Sequence, residues 1–208
     1  MASTIRVKSI DIVYEGWAKV KRAVLDYRRR DGQWEEQTRE LYDRGDGATI
    51  IPFDPLRGTV LLVRQFRFVA YARGMEADLI EACAGLLDAD DPETAIRREA
   101  EEELGYRLRS VRHLYTPLMS PGSVTERLSF FTAEYSPDDK VSDGGGHAGE
   151  GEDIEVLEMS LGEALAAVTD GGIVDAKTIM LLQHLRLAQL EGRALPEASQ
   201  PRSRDASG

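Results

Sequence analysis

The chain has 208 residues, of which 42% are hydrophobic and 30% are charged, and this size suffices for one well-buried domain with a small N-terminal extension. The formal net charge of −11 argues against a nucleic acid polymer as partner, because affinity for a phosphate backbone comes mainly from basic side chains. The sequence has no apolar run near the ~20 residues of a membrane helix, no signal-peptide pattern and one cysteine, so we expect a cytoplasmic protein without disulfides.

The N-terminal third of the sequence predicts β-strands. Residues 17–28 and 33–42 flank Asp31 and Gly32, a dipeptide that typically closes a hairpin. Further apolar runs predict strands at residues 48–53, 59–66, 79–84, 111–115 and 128–135.

The next predicted element is a helix over residues 92–104. Asp91 is a good N-cap, Pro92 suits the first helical position, and Gly105 suits the left-handed residue that follows a helix. The apolar side of this helix is supplied by Ala95, Ile96, Ala100 and Leu104.

The predicted helix carries an acidic cluster. Positions three and four apart share one helix face, so Glu99, Glu102 and Glu103 are expected to project together. Two interpretations are open: water screens a solvated acidic face, or a divalent cation neutralises it. Oxygen ligands of this kind suit Mg²⁺ or Mn²⁺ better than Zn²⁺.

The strand and loop before this helix add two expectations. Cys83 lies in an apolar strand and is expected to pack in the core rather than to take part in catalysis. Gly85 would let the backbone approach an ion or a ligand closely, because glycine has no Cβ.

The C-terminal part predicts two helices, over residues 160–170 and 176–190. Together with the strands they predict an α/β fold in which a mixed sheet lies between helices. Residues 142–152 are rich in glycine and acids and are predicted to form a mobile loop, and residues 193–208 are predicted to be disordered.

The acidic cluster resembles the Nudix hydrolase signature, in which a glycine precedes, by a loop and a helix, the string Arg-Glu-apolar-x-Glu-Glu-x-Gly-apolar. Residues 98–106 match this string, and Gly85 is the leading glycine. The match departs from the general pattern in two ways. The stretch from Gly85 to Glu99 is one residue shorter than usual, and the acidic position midway is Asp90 or Asp91 rather than glutamate.

Further motifs are similar to the ADP-ribose/GDP-mannose pyrophosphatase branch of this family, at residues 39–45, 63–67, 119–122 and 153–158. Residues 42–49, the shortened signature and the three glycines at 144–146 are most similar to the GDP-mannose hydrolase subgroup.

This resemblance implies a Nudix α/β/α sandwich with a mixed β-sheet and an N-terminal antiparallel β extension. The implied domains are a β extension over residues 1–45, a Nudix hydrolase domain over residues 46–192 and a disordered tail over residues 193–208.

The resemblance assigns metal binding and catalysis to acidic residues. Glu99, Glu103 and the carbonyl of Ala84 are the implied ligands of Mg²⁺, for which Mn²⁺ can substitute. Glu152 is implied as a further metal ligand and as the acid that activates water, so that Glu99, Glu103 and Glu152 are the catalytic residues. Glu150 and Asp153 compete with Glu152 for that position, and a merely solvated loop is an equal alternative.

Two neighbours of the implied ligands receive supporting roles. Glu102 is expected to be a further ligand or to act through water, and Arg98 is expected to orient the glutamates by an ion pair.

Substrate positioning is assigned to cations and to one aromatic residue. Arg67 and Lys177 are expected to hold a phosphate or a sugar, with a surface ion pair as the alternative for each. Glu126 is implied to contact substrate or metal-bound water, and Trp17 to stack on a purine, although packing is a commoner role for tryptophan. The full implied substrate-binding set is Trp17, Thr38, Arg39, Glu40, Arg67, Ala84, Gly85, Leu86, Glu103, Glu126, Gly151, Glu152 and Lys177.

The GDP-mannose hydrolases pair their N-terminal strands with a second subunit. The resemblance therefore implies a homodimer, in which Trp17, Thr38, Arg39 and Glu40 line the nucleotide site.

The leading hypothesis is a Mg²⁺-dependent Nudix pyrophosphohydrolase that splits GDP-mannose into GMP and mannose 1-phosphate. The alternative substrate is ADP-ribose, which would give AMP and ribose 5-phosphate. A non-catalytic nucleotide-sugar sensor is disfavoured, because sensors of this kind usually carry a DNA-binding module or a degraded signature, whereas every glutamate of the core string is present.

Overall fold

The computed structural model describes residues 3–87, 89–147, 149 and 151–193. The chain divides into two compact units. The N-terminal unit comprises residues 1–47 and 116–128, and the second unit comprises residues 48–115 and 129–208. The predicted domain boundaries stay a prediction, and the predicted disordered tail, Arg193 excepted, lies outside the described residues.

The N-terminal unit contains a three-stranded antiparallel sheet, formed by β1 (Ile5–Glu15), β2 (Lys19–Arg28) and β3 (Trp34–Asp43) in that order. The turn between β2 and β3 falls at the predicted dipeptide, where Gly32 has a φ of 89°, a conformation that favours glycine.

The second stretch of this unit is bound to the end of β3. The Tyr42 N–H donates to the carbonyl of Ser123 at 2.7 Å, and the Thr125 N–H donates to the carbonyl of Tyr42 at 3.0 Å. Arg127 adds an ion pair with Asp46 at 2.9 Å.

A seven-stranded sheet forms the centre of the second unit. Its main order is β10–β5–β4–β9–β8, with β6 beside β5 and β7 beside β4. All eight residues of β4 are buried, so both faces of this central strand are covered. The strands are β4 (Gly47–Asp54), β5 (Thr59–Phe66), β6 (Asp78–Glu81), β7 (Cys83–Leu86), β8 (Arg112–Tyr115), β9 (Leu128–Glu134) and β10 (Glu155–Ser160).

Four α-helices accompany the described strands: α1 (Phe68–Ala72), α2 (Pro92–Glu99), α3 (Leu161–Asp170) and α4 (Ala176–Leu190). A short 3₁₀ turn covers Pro137–Asp139. The predicted α/β fold with an antiparallel N-terminal sheet is confirmed. In the described part of the chain, no helix is both long and apolar enough to cross a membrane.

The acidic helix begins as predicted and ends differently. Asp91 accepts hydrogen bonds from the N–H groups of Glu93 and Thr94, and Gly105 ends the helix with a φ of 78°. However, the α-helix stops at Glu99, and Ala100–Leu104 form a π-helical turn, in which the Gly105 N–H donates to the carbonyl of Ala100. The expectation of one continuous α-helix is wrong at its last turn, and such π turns are frequent at functional sites.

Helix α4 is attached to the strands at its N-terminus. Asp175 caps the helix by accepting the Thr178 N–H at 3.0 Å, and the Thr178 hydroxyl lies 2.5 Å from the same carboxylate. The Thr178 hydroxyl oxygen also accepts the Ala82 N–H at 2.6 Å, and both residues are fully buried. This hydroxyl therefore joins α4 to the link between β6 and β7.

We expect Thr178→Val to lower the free energy of unfolding by about 1–3 kcal/mol, because it leaves the buried Ala82 N–H without its acceptor. Thr178→Ser keeps the hydroxyl and is expected to lose much less. Urea unfolding of the two variants measures the difference. Equal losses would show that the methyl group, and not the hydrogen bond, carries the stabilisation.

Candidate active site

Strand β7 and the acidic helix approach each other at Gly85. A Cβ atom built on Gly85 would lie 2.5 Å from a carboxylate oxygen of Glu99, which is too close for any real contact. Gly85 is thus needed for space, and the Glu99 side chain passes over the main chain of β7.

Glu103 lies one turn beyond Glu99 and is almost completely buried, with 2% of its surface exposed. Its Oε2 atom has no hydrogen-bond partner among the described residues. Burial raises the pKa of Glu103 to about 7, and the charges of Glu99 and Glu152 act in the same direction. Hydrogen bonds from the Cys83 thiol and the Ala84 N–H oppose this shift without cancelling it.

Glu99 is half-buried, and burial raises its pKa as well. Arg98 opposes this shift through a contact of 3.3 Å with the Glu99 carboxylate, and it also pairs with Asp90 at 2.7 Å. Glu102 is exposed, although its charge contributes to the raised pKa of Glu99. Of the three predicted glutamates, the helix therefore buries Glu103, half-buries Glu99 and leaves Glu102 in solvent.

Glu152 is the loop acid that approaches this pair, because its charge raises the pKa of both Glu99 and Glu103. Its carboxylate accepts the His147 N–H at 2.9 Å. Of its two competitors, Asp153 is exposed and Glu150 lies outside the described residues.

The segment before Glu152 is packed against the end of the acidic helix. We call residues 141–147 the capping loop. The Gly145 N–H donates to the carbonyl of Glu103 at 2.9 Å, and the Gly146 N–H donates to the carbonyl of Glu102 at 3.1 Å. These are carbonyls that a helix end leaves without intrahelical partners. The expected mobile loop is therefore wrong for its first part, because its backbone is bound to the helix.

The acidic residues fit a hard divalent cation by their chemistry. Within the described residues, no group of three or more His, Cys, Asp or Glu side chains stands ready to hold a metal. However, an unpartnered buried oxygen of Glu103 and the mutual repulsion of Glu99, Glu103 and Glu152 are both features that a cation would relieve. Oxygen donors of this kind match Mg²⁺ or Mn²⁺.

Arg67 and Lys177, the two predicted phosphate-binding cations, both pair with Glu81, which is not among the predicted site residues. Arg67 contacts both carboxylate oxygens of Glu81, at 2.8 and 3.2 Å, and Lys177 pairs with Glu81 and, at 3.0 Å, with Asp175. Burial disfavours the charged form of Glu81, but Arg67 and Lys177 outweigh it and keep the pKa of Glu81 below its usual value. Arg67 also interacts electrostatically with the charge of Glu103. The ion-pair alternative is thus realised, with a buried rather than a surface partner, and a role in binding stays a prediction.

The N-terminal unit contains the remaining predicted substrate residues. Trp17 is 73% exposed, so it does not pack in the described core, whereas Glu126 is buried. Arg44, which is absent from the predicted site residues, connects them: its guanidinium pairs with Glu126 and lies 5.9 Å from the ring of Trp17. Three further predicted residues are exposed on β3, namely Thr38, Arg39 and Glu40.

The sequence contains only weak signals for the missed residues. Arg44 lies inside the motif at residues 42–49, and Glu81 precedes the signature glycine by four positions. The sequence does not reveal the partner of either residue, because Arg44 and Glu126 are 82 residues apart and Glu81 and Lys177 are 96 residues apart. Of the other predicted positions, Ala84 and Leu86 lie half-buried in β7, and Gly151 is exposed.

Comparison with known proteins defines the class. A NUDIX domain model matches residues 43–182, and a model described as the GDP-mannose pyrophosphatase NudK N-terminal domain matches residues 4–42. A solved structure titled "Crystal structure of ADP compounds hydrolase" aligns with a TM-score of 0.70 and 17% identity, covering 92% of this chain and 98% of that one. At this identity the alignment supports the fold alone.

The chain therefore belongs to the Nudix family, and the prediction of a Nudix pyrophosphohydrolase is confirmed. Its relatives include the GDP-mannose pyrophosphatase of Pectobacterium atrosepticum, 50% identical over 88% of this chain and 95% of that protein. The GDP-mannose pyrophosphatase of Yersinia pestis is 46% identical over 88% of this chain and 93% of that protein. Nudix hydrolases generally use divalent metal ions.

The raised pKa of Glu103 predicts how the stability of the metal-free protein depends on pH. Between its usual value of 4.5 and about 7, the folded protein holds a proton that the unfolded chain releases. The folded state then binds more protons, so the free energy of unfolding falls as pH rises through this window. Urea unfolding in a chelator at about pH 5 and about pH 8 is expected to show this loss, and Glu103→Gln to reduce it.

Glu102→Gln is the matched control, because Glu102 is exposed on the same turn and should change the pH dependence much less than Glu103→Gln, only through its smaller charge effect on Glu99. A pH dependence that is equally steep in Glu103→Gln would show that Glu103 is ionised like an ordinary surface carboxylate.

Proposed function

We propose that the chain is a Mg²⁺-dependent hydrolase that cleaves the diphosphate of GDP-mannose into GMP and mannose 1-phosphate. The observation that carries the chemistry is the buried carboxylate of Glu103, whose Oε2 atom has no hydrogen-bond partner among the described residues, beside Glu99 and Glu152. The choice of substrate is supported by relatives named GDP-mannose pyrophosphatase that are 46–50% identical over 88% of the chain.

Glu99, Glu103, the Ala84 carbonyl and Glu152 would hold the metal, with Mg²⁺ as the preferred ion and Mn²⁺ as a substitute. When bound, the ion would neutralise negative charge on the diphosphate and lower the pKa of a coordinated water. The protein's part is to keep these oxygens converged despite their repulsion, which Gly85 and the capping loop do by close main-chain packing.

Glu152 would take the proton from the attacking water. It suits this role because its carboxylate is anchored through one hydrogen bond from the loop backbone at 2.9 Å, while the side chain stays only partly buried. A general base must be held within hydrogen-bonding reach of the proton that it removes. Arg98 would keep Glu99 ionised and oriented.

Arg67 and Lys177 would position the phosphates. Glu81 fixes both cations on one buried carboxylate, so little conformational freedom remains to be lost when an anion binds. The side chain of Arg67 is 42% exposed, and its guanidinium has the fork geometry that phosphate binding uses.

The nucleotide would bind through Trp17, Thr38, Arg39, Glu40 and Glu126, with Gly85, Leu86 and Gly151 as further contacts. The exposed ring of Trp17 offers a face for stacking, and Glu126, which is buried and paired with Arg44, would contact the substrate or metal-bound water.

A cytoplasmic homodimer is also part of this proposal. Its support is a run of exposed apolar side chains on β1, where Ile5, Val7, Ile10, Ile12 and Tyr14 are 48–61% exposed. Large exposed apolar side chains grouped on one strand are typical of interaction sites.

Steady-state assays with Mg²⁺ test the substrate. We expect kcat/KM for GDP-mannose to exceed that for ADP-ribose at least about tenfold, with GMP and mannose 1-phosphate as products. Glu99→Gln and Glu152→Gln are each expected to lower kcat by about 100-fold or more, whereas Glu101→Gln, on an exposed ion pair with Arg107, is the control. A reversed substrate order would favour ADP-ribose, and tight nucleotide-sugar binding without turnover would indicate a sensor.

Sedimentation equilibrium tests the dimer. The unmodified protein is expected to have twice the chain mass, and Ile10→Glu combined with Ile12→Glu to shift it to one chain mass, because two charges would enter the apolar interface. Leu56→Glu, at a 96% exposed position in the second unit, should leave the mass unchanged. A monomeric unmodified protein would contradict the proposal.

A further inference from the structure

We propose that Gly144 and Gly146 are positioning residues for the hydrolytic site, and that they set the location of Glu103 and Glu152 respectively. The capping loop would then be a working part of the site rather than a connection. This inference rests on the proposed function, because it assigns these glycines a role in the same site.

Gly144 lies against the main chain that carries Glu103. A Cβ atom at position 144 would lie 2.7 Å from the carbonyl carbon of Leu104, a backbone atom that cannot move aside without moving the helix end. The contact is mutual, since a Cβ atom on Gly105 would lie 2.7 Å from the nitrogen of Gly144. The loop and the π-helical turn therefore touch through backbone alone.

Gly146 lies against the side chain of Glu152. A Cβ atom at position 146 would lie 2.5 Å from Oε2 of Glu152 and 2.9 Å from its Cβ atom. The same Oε2 atom accepts the N–H of the next residue, His147, at 2.9 Å. The carboxylate therefore rests in a space that exists only while residue 146 has no side chain.

Gly145 makes it possible to distinguish steric crowding of an added Cβ atom from strain of the backbone. Its φ of 109° is the least accessible of the three to other residues, compared with 69° for Gly144 and 78° for Gly146. A Cβ atom on Gly145, however, would meet only the carbonyl oxygen of Ile154 at an ordinary 3.7 Å. Conformational strain alone would make position 145 the most sensitive, whereas a positioning role makes 144 and 146 the most sensitive.

The experiment compares Gly144→Ala, Gly145→Ala and Gly146→Ala with Gly171→Ala. Gly171 ends α3 with a φ of 81°, and a methyl group added there would meet nothing within 4 Å, so it reports left-handed strain away from the site. Three quantities are measured: Mg²⁺ affinity by calorimetry without nucleotide, kcat with GDP-mannose, and the midpoint of thermal unfolding.

Gly144→Ala is expected to weaken Mg²⁺ binding about 10–100-fold, the range that supporting residues of metal sites show, because it shifts the main chain of Glu103. Gly146→Ala is expected to lower kcat about tenfold or more while Mg²⁺ affinity changes less than in Gly144→Ala, because it displaces Glu152. Gly171→Ala should change neither quantity.

Three results would overturn the inference. The first is a Gly145→Ala variant that is as impaired in both quantities as its neighbours. The second is a set of losses that simply follow the unfolding midpoints of all four variants. The third is an unchanged Mg²⁺ affinity in Gly144→Ala together with an unchanged kcat in Gly146→Ala.

A crystal structure of Gly146→Ala keeps this test separate from the choice of substrate. Displacement of the Glu152 carboxylate by about 1 Å or more supports the inference, since the methyl group would otherwise overlap it, and an unmoved carboxylate overturns it. If the unmodified protein binds Mg²⁺ but does not cleave GDP-mannose, the proposed substrate fails, while the metal affinities and this structure still decide the role of the glycines.

Discussion

The site depends on one unfavourable interaction, the burial of the Glu103 carboxylate with no basic side chain of the described residues in a salt bridge with it. Burying an ionised group costs free energy unless a partner compensates it. Here the neighbouring charges come from Glu99 and Glu152, which are also negative, so the pKa of Glu103 rises to about 7. The fold holds three acids close together that would separate if they were free to do so.

Close main-chain packing is what makes this convergence possible. Gly85 lets Glu99 lie across β7, and Gly146 lets Glu152 lie against the capping loop. In both cases the carboxylate occupies the place of a missing side chain. The N–H groups of Gly145 and Gly146 bind carbonyls that are free at the end of the helix. The same hydrogen bonds therefore satisfy the helix end and hold the loop that precedes Glu152.

Local signals in the sequence predict most of the elements, although not β1, α1 or β10, and they do not predict the contacts between elements. Asp91, Pro92 and Gly105 act through their immediate neighbours, and they predict the position of the helix between them correctly. They do not predict the π-helical turn, because which carbonyl the Gly105 N–H reaches depends on how the loop packs on the helix. The composition of the capping loop predicts mobility because each glycine has conformational freedom. Composition does not show that the N–H groups of the loop bind carbonyls at the end of the helix.

The same limit explains which site residues the sequence reveals. The acids of the signature lie within five positions of one another and can be recognised together. Arg44 gains its meaning from Glu126, and Glu81 from Arg67 and Lys177, and none of these pairs is adjacent in sequence. A glutamate at the end of a strand and an arginine directly after a strand look ordinary until the fold shows what they contact.

Comparison of Glu81 with Glu103 shows that this fold can pair a buried carboxylate with cations, although it does not do so at Glu103. Both side chains are buried in the same unit, and burial disfavours the charged form of both. Glu81 pairs with two cations and keeps a pKa below its usual value, whereas Arg67 interacts with Glu103 without forming a salt bridge and the pKa of Glu103 is raised to about 7. Pairing Glu103 internally would remove the repulsion, but it would also fill the position that a divalent ion needs. The difference between the two glutamates is therefore the physical basis for proposing metal chemistry at Glu103 and for proposing that Glu81 anchors Arg67 and Lys177 for phosphate binding.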